Sequence, residues 1–190
     1  MKISLLQVNP VVGDLTGNAD RIVAGVEAAA RDRPDLVVAP ELSLPGCPSR
    51  DLLLEKGFIE RGLTVLEDLA ADLDDSPPVL VGFAAPNLSG TGRPAFNAAA
   101  LLRDGEVGET FRKTRISPGV LDEGRYFEPA AESPGILRLG TMTVGVSIGE
   151  DALGLGGPWL AVTYPLLFLL ALLLFAIGFL QRDGGAVLLA

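Results

Sequence analysis

Residues Met142 to Asp151 have the sequence MTVGVSIGED, and they decide the fold prediction. Apolar Val and Ile side chains alternate with small residues up to Ile148, which predicts a buried strand of period two. The strand is followed at once by Gly149 and an acidic pair. Enzymes of the α/β class often hold a nucleophile on a tight turn directly after such a strand. Here that position is Gly149, which has no side chain with which to attack a substrate.

Composition and charge argue against several classes of function. The chain has 190 residues, which is enough for one globular unit with a hydrophobic core. Its net charge of −9 argues against a nucleic-acid partner, because phosphate binding requires clustered Lys and Arg. It has no histidine and a single cysteine, Cys47, so we expect no metal site, no cofactor and no internal disulfide. The N-terminal apolar run is too short for a signal peptide, which favours a cytoplasmic location for residues 1–151.

The first forty residues predict a β-α-β unit. Residues 2–8 alternate as a strand does, Asn18 is placed to cap a following helix, and Leu36 to Ala39 are typical of a strand covered on both faces. Glu41 follows that strand on a Pro/Gly loop, where open α/β folds place ligands. Glu41 is therefore a candidate general base. The alternative is that its carboxylate only caps the following turn.

The middle of the chain predicts a helix and then three strands. An apolar stripe over residues 52–74 indicates a packing helix. The predicted strands cover residues 79–83, 96–102 and 106–112, and an Asp104-Gly105 turn joins the last two. These strands lead directly to a lysine that follows the third of them.

Lys113 ends the last of these strands and is the second candidate site residue. A lysine beside a carboxylate in a cleft can donate hydrogen bonds to a developing oxyanion. The alternative is an ordinary surface charge. Residues 117–132 then form a loop rich in Pro, Gly and charge, and its length inside a compact domain suggests a functional role.

Several spaced motifs resemble one protein family. They are, in order, QVNPVVGDLTGNADRI, APELSLPGCPSRDLL, RPAFNAAALLRDGEV, FRKTR, DEGRYFEP and VGVSIGED. They are similar to the carbon–nitrogen hydrolase, or nitrilase, superfamily, and more narrowly to the glutamine-hydrolysing amidase domain of glutamine-dependent NAD synthetase. The resemblance covers about residues 1–151. It implies a nitrilase-like α-β-β-α sandwich. It also implies that the domain pairs with a second copy of itself and binds a small amide such as glutamine.

The resemblance also implies a role for each site residue. Glu41 matches the general base, Lys113 the lysine that stabilises the tetrahedral intermediate, and Glu123 an additional glutamate near the site. Gly149 stands where the family has its cysteine nucleophile, so that Ile-Gly-Glu-Asp replaces Ile-Cys-Glu-Asp. In the family that cysteine attacks the side-chain amide of glutamine, forms a thioester and releases ammonia to a separate synthetase domain. Covalent acyl transfer cannot run without a nucleophile, so we expect this chain to be inactive as written. On this layout, Glu41 and Lys113 follow neighbouring strands.

Two further departures from the family concern a loop and a cysteine. The loop between Lys113 and Glu123 is one residue shorter than the family pattern and lacks its Asn-Tyr pair. Cys47 stands six positions after Glu41, where the family has an aromatic residue. A free cysteine is commonly inert packing, so replacement of the lost nucleophile by Cys47 is the weaker hypothesis.

The end of the chain departs from the family altogether. The family domain continues well past residue 151, so residues 1–151 represent a C-terminally truncated amidase domain. We expect a Gly-rich linker over 152–158, a hydrophobic helix over 159–180 and a short tail over 181–190. The apolar run is long enough to cross about 30 Å of hydrocarbon, although Pro165 interrupts it. A buried core helix, or a spurious tail from a frame change or gene fusion, is the alternative.

Two hypotheses of function follow from the sequence. The first is an amidase-type domain that has lost its nucleophile. The second is a membrane-tethered pseudoamidase that binds a small amide or a protein partner through the retained Glu41 and Lys113.

Overall fold

The computed structural model describes residues 1–116, 122–131 and 135–153. Seven strands and two α-helices make up this part of the chain. In order they are β1 (Ile3–Leu5), α1 (Leu15–Ala30), β2 (Leu36–Val38), α2 (Phe58–Asp72), β3 (Val79–Pro86), β4 (Ala95–Arg103), β5 (Glu106–Arg112), β6 (Gly135–Leu139) and β7 (Met142–Val146). Short 3-10 turns cover Arg50–Leu54, Glu123–Arg125 and Gly149–Leu153.

The direction of the strands brings the ends of β2 and β5 to one edge of the main sheet. Strands β1 to β5 form a sheet in sequence order, in which β1, β2 and β3 are parallel. Strand β4 runs antiparallel to β3, and β5 runs antiparallel to β4. Strand β5 therefore runs in the same direction as β2, and the two strands end at the same edge. Strands β6 and β7 form a separate antiparallel hairpin.

The two faces of the main sheet are covered by different layers. The helices cover one face, where Ile22 and Leu66 are almost fully buried. The hairpin covers the other face, where Leu101 of β4 packs in a cluster with Leu137 of β6. Neighbours in sequence point to opposite faces because side chains alternate along a strand. The described residues thus supply a helical layer and two sheets of the predicted α-β-β-α sandwich.

The beginning of α1 differs from the prediction. Asp14 is the N-cap, and its side chain accepts a hydrogen bond from the Gly17 backbone N–H at 3.0 Å. Asn18 lies inside the helix and is buried. Its side chain instead bonds the backbone of Val11 and donates to the carbonyl of Leu44 at 2.9 Å. Asn18 therefore satisfies the backbone of two loops, a long-range role that helix-capping rules do not detect.

Several predicted boundaries also shift. The helix predicted over residues 52–74 is a 3-10 turn at Arg50–Leu54 and a separate α2, divided at Gly57, whose φ of +79° is incompatible with a continuous helix. Strand β1 covers fewer residues than the predicted 2–8, and β7 ends at Val146 rather than Ile148.

The predicted C-terminal segments lie outside the described residues. This applies to most of the linker predicted over 152–158, to the hydrophobic helix over 159–180 and to the tail. Among residues 1–116, 122–131 and 135–153, no helix is long and apolar enough to cross a membrane. The truncation and the hydrophobic helix remain predictions.

Candidate active site

Glu41 reaches the site because its loop crosses the main sheet. The prediction that Glu41 and Lys113 follow neighbouring strands is wrong. Glu41 follows β2 and Lys113 follows β5, and β3 and β4 lie between these two strands. After β2 the chain passes over β3 at Gly82, whose carbonyl accepts a hydrogen bond from the Leu44 N–H at 3.0 Å. A Cβ on Gly82 would lie 2.4 Å from the Pro40 carbonyl oxygen. The absence of a side chain at Gly82 therefore lets the loop carry Glu41 across to β4.

Replacement of Gly82 by alanine tests this crossing. The added Cβ would meet backbone atoms that cannot rotate away, so we expect Gly82→Ala to lower the free energy of unfolding by about 3 kcal/mol. Gly62→Ala is the matched control, because its Cβ would meet only the Leu15 Cδ2 at 3.9 Å inside α2. That control should gain up to about 1 kcal/mol from helix propensity. Chemical denaturation measures both; equal midpoints for the two variants would contradict the crossing geometry.

Asn97 joins Glu41 to Lys113 and was not found from the sequence. It is fully buried in β4. Its side-chain N–H donates to Glu41 Oε1 at 2.7 Å, and its backbone carbonyl accepts from the Lys113 N–H at 2.8 Å. Glu41 therefore does more than cap its own turn. The available signal was a polar residue inside the apolar run of residues 95–102, where an unpaired amide would be costly.

Lys113 is the centre of the site rather than a surface charge, since its side chain is 1% exposed. Its Nζ lies 2.9 Å from Glu41 Oε1, 2.8 Å from Glu123 Oε2 and 2.5 Å from Glu150 Oε2. Burial acts to lower the pKa of Lys113, but the charge of Glu41 and the hydrogen bonds to the three carboxylates outweigh it. The pKa of Lys113 is therefore raised, and the ammonium stays charged at neutral pH.

Glu123 is held beside Lys113 by the segment that follows it. Glu123 begins a 3-10 turn, and the next aromatic residues, Tyr126 and Phe127, are buried in the core. The Tyr126 hydroxyl donates to Asp51 Oδ1 at 2.8 Å. Burial raises the pKa of Glu123, the bond from Lys113 opposes the increase, and the charges of the other carboxylates add to it.

The raised pKa of Glu123 predicts a pH dependence of stability. The folded state binds the Glu123 proton more tightly than the unfolded chain, where the pKa is about 4.3. Its contribution to stability therefore falls as pH rises from about 4.3 through the folded pKa and is constant above it. Glu123→Gln lacks this step. The free energy of unfolding of Glu123→Gln, measured relative to the parent at several pH values, should increase as pH rises. Exposed Glu67→Gln is the control and should not show this increase. A relative free energy that instead decreases for Glu123→Gln would contradict the burial of Glu123.

Gly149 faces these groups from the turn after β7. Its φ is +51°, in the left-handed region, and it begins the 3-10 turn Gly149–Leu153. A Cβ placed on Gly149 would lie 2.9 Å from Lys113 Nζ and 3.0 and 3.2 Å from the two carboxylate oxygens of Glu41. Any side chain at this position would therefore point at the lysine and at the candidate base.

Asp151 fixes this turn against the end of β5. Its buried carboxylate accepts hydrogen bonds from the Thr114 N–H and hydroxyl and, at 2.7 Å, from the Arg115 N–H. Thr114 and Arg115 directly follow Lys113. These hydrogen bonds of Asp151 to Thr114 and Arg115 form a latch, which sets the distance between Gly149 and Lys113. Glu150 and Asp151 are the acidic pair that follows Gly149. The sequence pattern did not predict a role for either residue.

Asp151→Ala is expected to lower the free energy of unfolding by about 3 kcal/mol, because two backbone N–H groups lose their buried acceptor. Asp151→Asn keeps one acceptor oxygen and should lose less. Asp75→Ala, at an exposed position in the turn after α2, serves as the control and should change stability by under about 0.5 kcal/mol. Thermal and urea denaturation measure the series; an Asp151→Ala midpoint equal to that of the control would rule out the latch.

Cys47 lies at the edge of the site, at an exposed position of a loop whose preceding residues are buried. It lines a small depression together with Glu123 and Tyr126. Burial by its neighbours and the negative charges of Glu41 and Glu123 raise the pKa of its thiol. A raised pKa reduces the thiolate, which is the nucleophilic form, so these surroundings do not favour Cys47 as a replacement nucleophile.

The site therefore consists of three carboxylates around one buried ammonium. Lys113 Nζ occupies the point on which Glu41, Glu123 and Glu150 converge. Among the residues that the structure describes, no group of three His, Cys, Asp or Glu side chains is arranged to hold a metal. The arrangement can accept a proton at a carboxylate and stabilise negative charge at the ammonium, which are the functions of a general base and an oxyanion partner.

Comparison with known proteins gives one family. The family model for carbon-nitrogen hydrolases matches residues 2–154. Glutamine-dependent NAD(+) synthetase of Thermotoga maritima is 36% identical over 153 residues, which are 80% of this chain and 26% of that protein. The enzyme of the same name from Rhodobacter capsulatus is 36% identical over 152 residues, 80% of this chain and 27% of its own length. The chain thus spans about a quarter of the curated relatives that it matches.

Solved structures agree with this family. Glutamine-dependent NAD+ synthetase from Acinetobacter baumannii matches with a TM-score of 0.73 at 28% identity, covering 80% of this chain and 28% of that chain. An amidase from Nesterenkonia sp. matches with a TM-score of 0.67 at 21% identity, covering 80% and 56%. The second likeness supports the fold alone.

Proposed function

The chain belongs to the carbon–nitrogen hydrolase family, and from this premise we propose that it binds a small primary amide such as glutamine without hydrolysing it. One observation carries the proposal. A Cβ on Gly149 would lie within 3.2 Å of Lys113 Nζ and of both Glu41 carboxylate oxygens. The position is thus aimed at a base and a cation, while glycine supplies no nucleophile.

The chemistry assigns a role to each retained group. Glu41 is the acceptor for the proton of an attacking group, and Asn97 holds its carboxylate. Lys113 carries the positive charge that an amide oxygen needs when it becomes an oxyanion. The first covalent step, attack on the amide carbon, has no attacking atom in the chain at Gly149. The domain therefore binds the amide, and the hydrolysis reaction does not proceed from the bound state.

Glutamine is the proposed ligand because of the relatives. The curated proteins at 36% identity are named glutamine-dependent NAD(+) synthetases, and the family domain here resembles their glutaminase part. The chain covers about a quarter of those proteins, so the proposal concerns amide binding and leaves the use of ammonia to the whole enzymes. The membrane-tethered alternative depends on residues 159–180, outside the described part, and fractionation of cells into membrane and soluble pools tests it.

Isothermal titration calorimetry with glutamine tests the proposal on the full chain. We expect the parent to bind glutamine and an enzymatic ammonia assay to detect no release above the buffer control. We infer that the Glu41 carboxylate also accepts a hydrogen bond from the amide N–H of glutamine, so Glu41→Gln should weaken binding by about tenfold, the loss of about 1.5 kcal/mol expected for a hydrogen bond to a charged group. Glu55→Gln changes an exposed glutamate outside the site and should bind like the parent. If the parent does not bind glutamine, the proposal is wrong.

A further inference from the structure

We propose that Arg50 binds the α-carboxylate of glutamine, so that the site selects amides that carry a carboxylate at the other end of a short carbon chain. This inference rests on the proposed function, because the amide group must bind beside Glu41 and Lys113. It deepens that function by naming the residue that distinguishes glutamine from a plain aliphatic amide. Arg50 is thus a specificity-determining residue, and the sequence patterns predicted no role for it.

The small depression lined by Cys47 and Tyr126 adjoins the carboxylate cluster and extends the amide site. Glu123 also lines this depression, and its Oε2 lies 2.8 Å from Lys113 Nζ. Arg50 is the one cation among the described residues of the lining. A ligand whose amide lies beside Lys113 can therefore place its other end in the depression, next to a guanidinium.

The Arg50 guanidinium is available to a ligand. Arg50 is exposed, and within the described part of the chain its side chain makes no hydrogen bond, ion pair or ring contact. By contrast, nearby Arg125 is already engaged, since its Nη2 lies 3.5 Å from Asp51 Oδ1 and its guanidinium packs on the Tyr126 ring. A guanidinium can bind a carboxylate through two parallel hydrogen bonds. Arg50 therefore supplies the partner that an α-carboxylate requires.

Charge excludes the α-carboxylate from the centre of the site. The Lys113 side chain is 1% exposed and is already shared by the carboxylates of Glu41, Glu123 and Glu150. A further carboxylate beside them would be repelled at these short distances. Glutamine separates its carboxylate from its amide by a short carbon chain. The two groups can therefore occupy different positions, the amide at Lys113 and the carboxylate at Arg50.

Strained backbone is concentrated around this depression. The φ of Arg50 is +46°, and that of Leu42, which also lines the depression, is +51°. Asp122, which directly precedes Glu123, has a φ of +50°. These are three of the five non-glycine residues with positive φ in the described part of the chain. Residues held in this region cluster at ligand-binding sites, where the surrounding structure maintains them.

Hydrogen bonds on both sides fix the backbone that carries Arg50. The buried Ser49 hydroxyl donates to the Gly46 carbonyl at 2.5 Å. On the other side, Asp51 Oδ1 accepts a hydrogen bond from the Tyr126 hydroxyl at 2.8 Å. The Arg50 side chain therefore extends from a fixed turn, which reduces the entropy that is lost when it binds a ligand.

Two ligands that differ only in a carboxylate test the inference. Glutaramate is butyramide with a carboxylate added at its methyl end, and neither has the α-ammonium of glutamine. In isothermal titration calorimetry, the parent should bind glutaramate about tenfold more tightly than butyramide, the factor expected for a hydrogen-bonded charge pair. Added salt should weaken the binding of glutaramate and leave that of butyramide unchanged, because salt screens the exposed charge of Arg50.

Arg50→Gln removes the charge at an exposed position and keeps most of the length of the side chain. It should bind glutamine and glutaramate about tenfold more weakly than the parent and should bind butyramide equally well. Arg50→Lys keeps the charge without the planar guanidinium and should lose less. Arg31→Gln is the matched control, because Arg31 is exposed at the end of α1, shortly before β2 begins and thus far from the edge where β2 ends. It should bind all three amides like the parent.

The same titrations separate this inference from the proposed function. Arg50→Gln that binds glutamine and glutaramate as tightly as the parent would overturn the role of Arg50 alone. Equal losses of affinity for butyramide and glutaramate would also overturn it, because the effect would then not depend on the carboxylate. A parent that does not bind glutamine would overturn both this inference and the proposed function.

Discussion

Gly149→Cys is expected to release ammonia from glutamine about 10³-fold faster than the parent, because it restores a nucleophile beside the retained Glu41 and Lys113. The new Cβ would stand 2.9 Å from Lys113 Nζ and 3.0 Å from Glu41 Oε2, so the ends of these two paired side chains must move together by a few tenths of an ångström. The backbone at φ +51° is unfavourable for a side chain, so the variant should lose about 1 kcal/mol of stability. A coupled ammonia assay measures the gain.

Three variants control this result. Gly149→Ala carries the same backbone strain without a thiol and should remain at the parent rate. Gly149→Cys combined with Glu41→Gln should lose most of the gain, because the proton acceptor is gone. Gly149→Cys combined with Glu55→Gln should keep it. A folded Gly149→Cys protein that binds glutamine and releases no ammonia would show that the retained groups do not form a working amidase site.

Lys113→Met is expected to lower the free energy of unfolding by about 3 kcal/mol at neutral pH, since it removes the cation that three carboxylates share. This value is at the low end for a broken buried ion pair, because Glu41 and Glu150 side chains keep 33% and 31% of their exposure and remain partly solvated. Methionine keeps most of the length of lysine without its charge. Lys56→Met, at an exposed position, should stay within about 0.5 kcal/mol of the parent.

The direction of the Lys113 pKa shift fixes how this loss depends on pH. The folded pKa is raised, so the ammonium contributes its full stability below the unfolded pKa of about 10.4 and loses it as pH rises through the folded pKa. The difference between parent and Lys113→Met should therefore be constant between about pH 7 and pH 9. Urea denaturation across that range measures it. A difference that already disappears near neutral pH would contradict the buried ion cluster.

Much of the fold could be predicted from local sequence patterns. The Asp104-Gly105 turn and the alternation of the flanking residues predicted β4 and β5 to within one residue at each end. The tight turn at Gly149 was predicted from an apolar strand that ends in glycine and two acidic residues. Each of these features depends on neighbours within a few positions, which sequence alone displays.

The contacts that assemble the site are long-range and were not predictable in the same way. Asn97 lies 56 positions from Glu41, and its role depends on strand pairing and on the loop that crosses at Gly82. Asp151 reaches Thr114 across 37 positions. Asn18 looked like a helix cap because its bonds to distant loops are invisible locally. Strand adjacency was wrong for the same reason, since nothing in the residues near Glu41 indicates that its loop passes over β3.

The central proposal is that this chain retains Glu41 as the base and Lys113 as the cation of an amidase-type site and lacks the nucleophile at Gly149. Intact-mass spectrometry of Gly149→Cys, mixed with glutamine and quenched in acid, tests it most directly. We expect an adduct of the mass of glutamine less ammonia, absent from the parent and retained when Cys47→Ser is added. No adduct on a variant that binds glutamine, or an adduct lost with Cys47→Ser, would contradict the account.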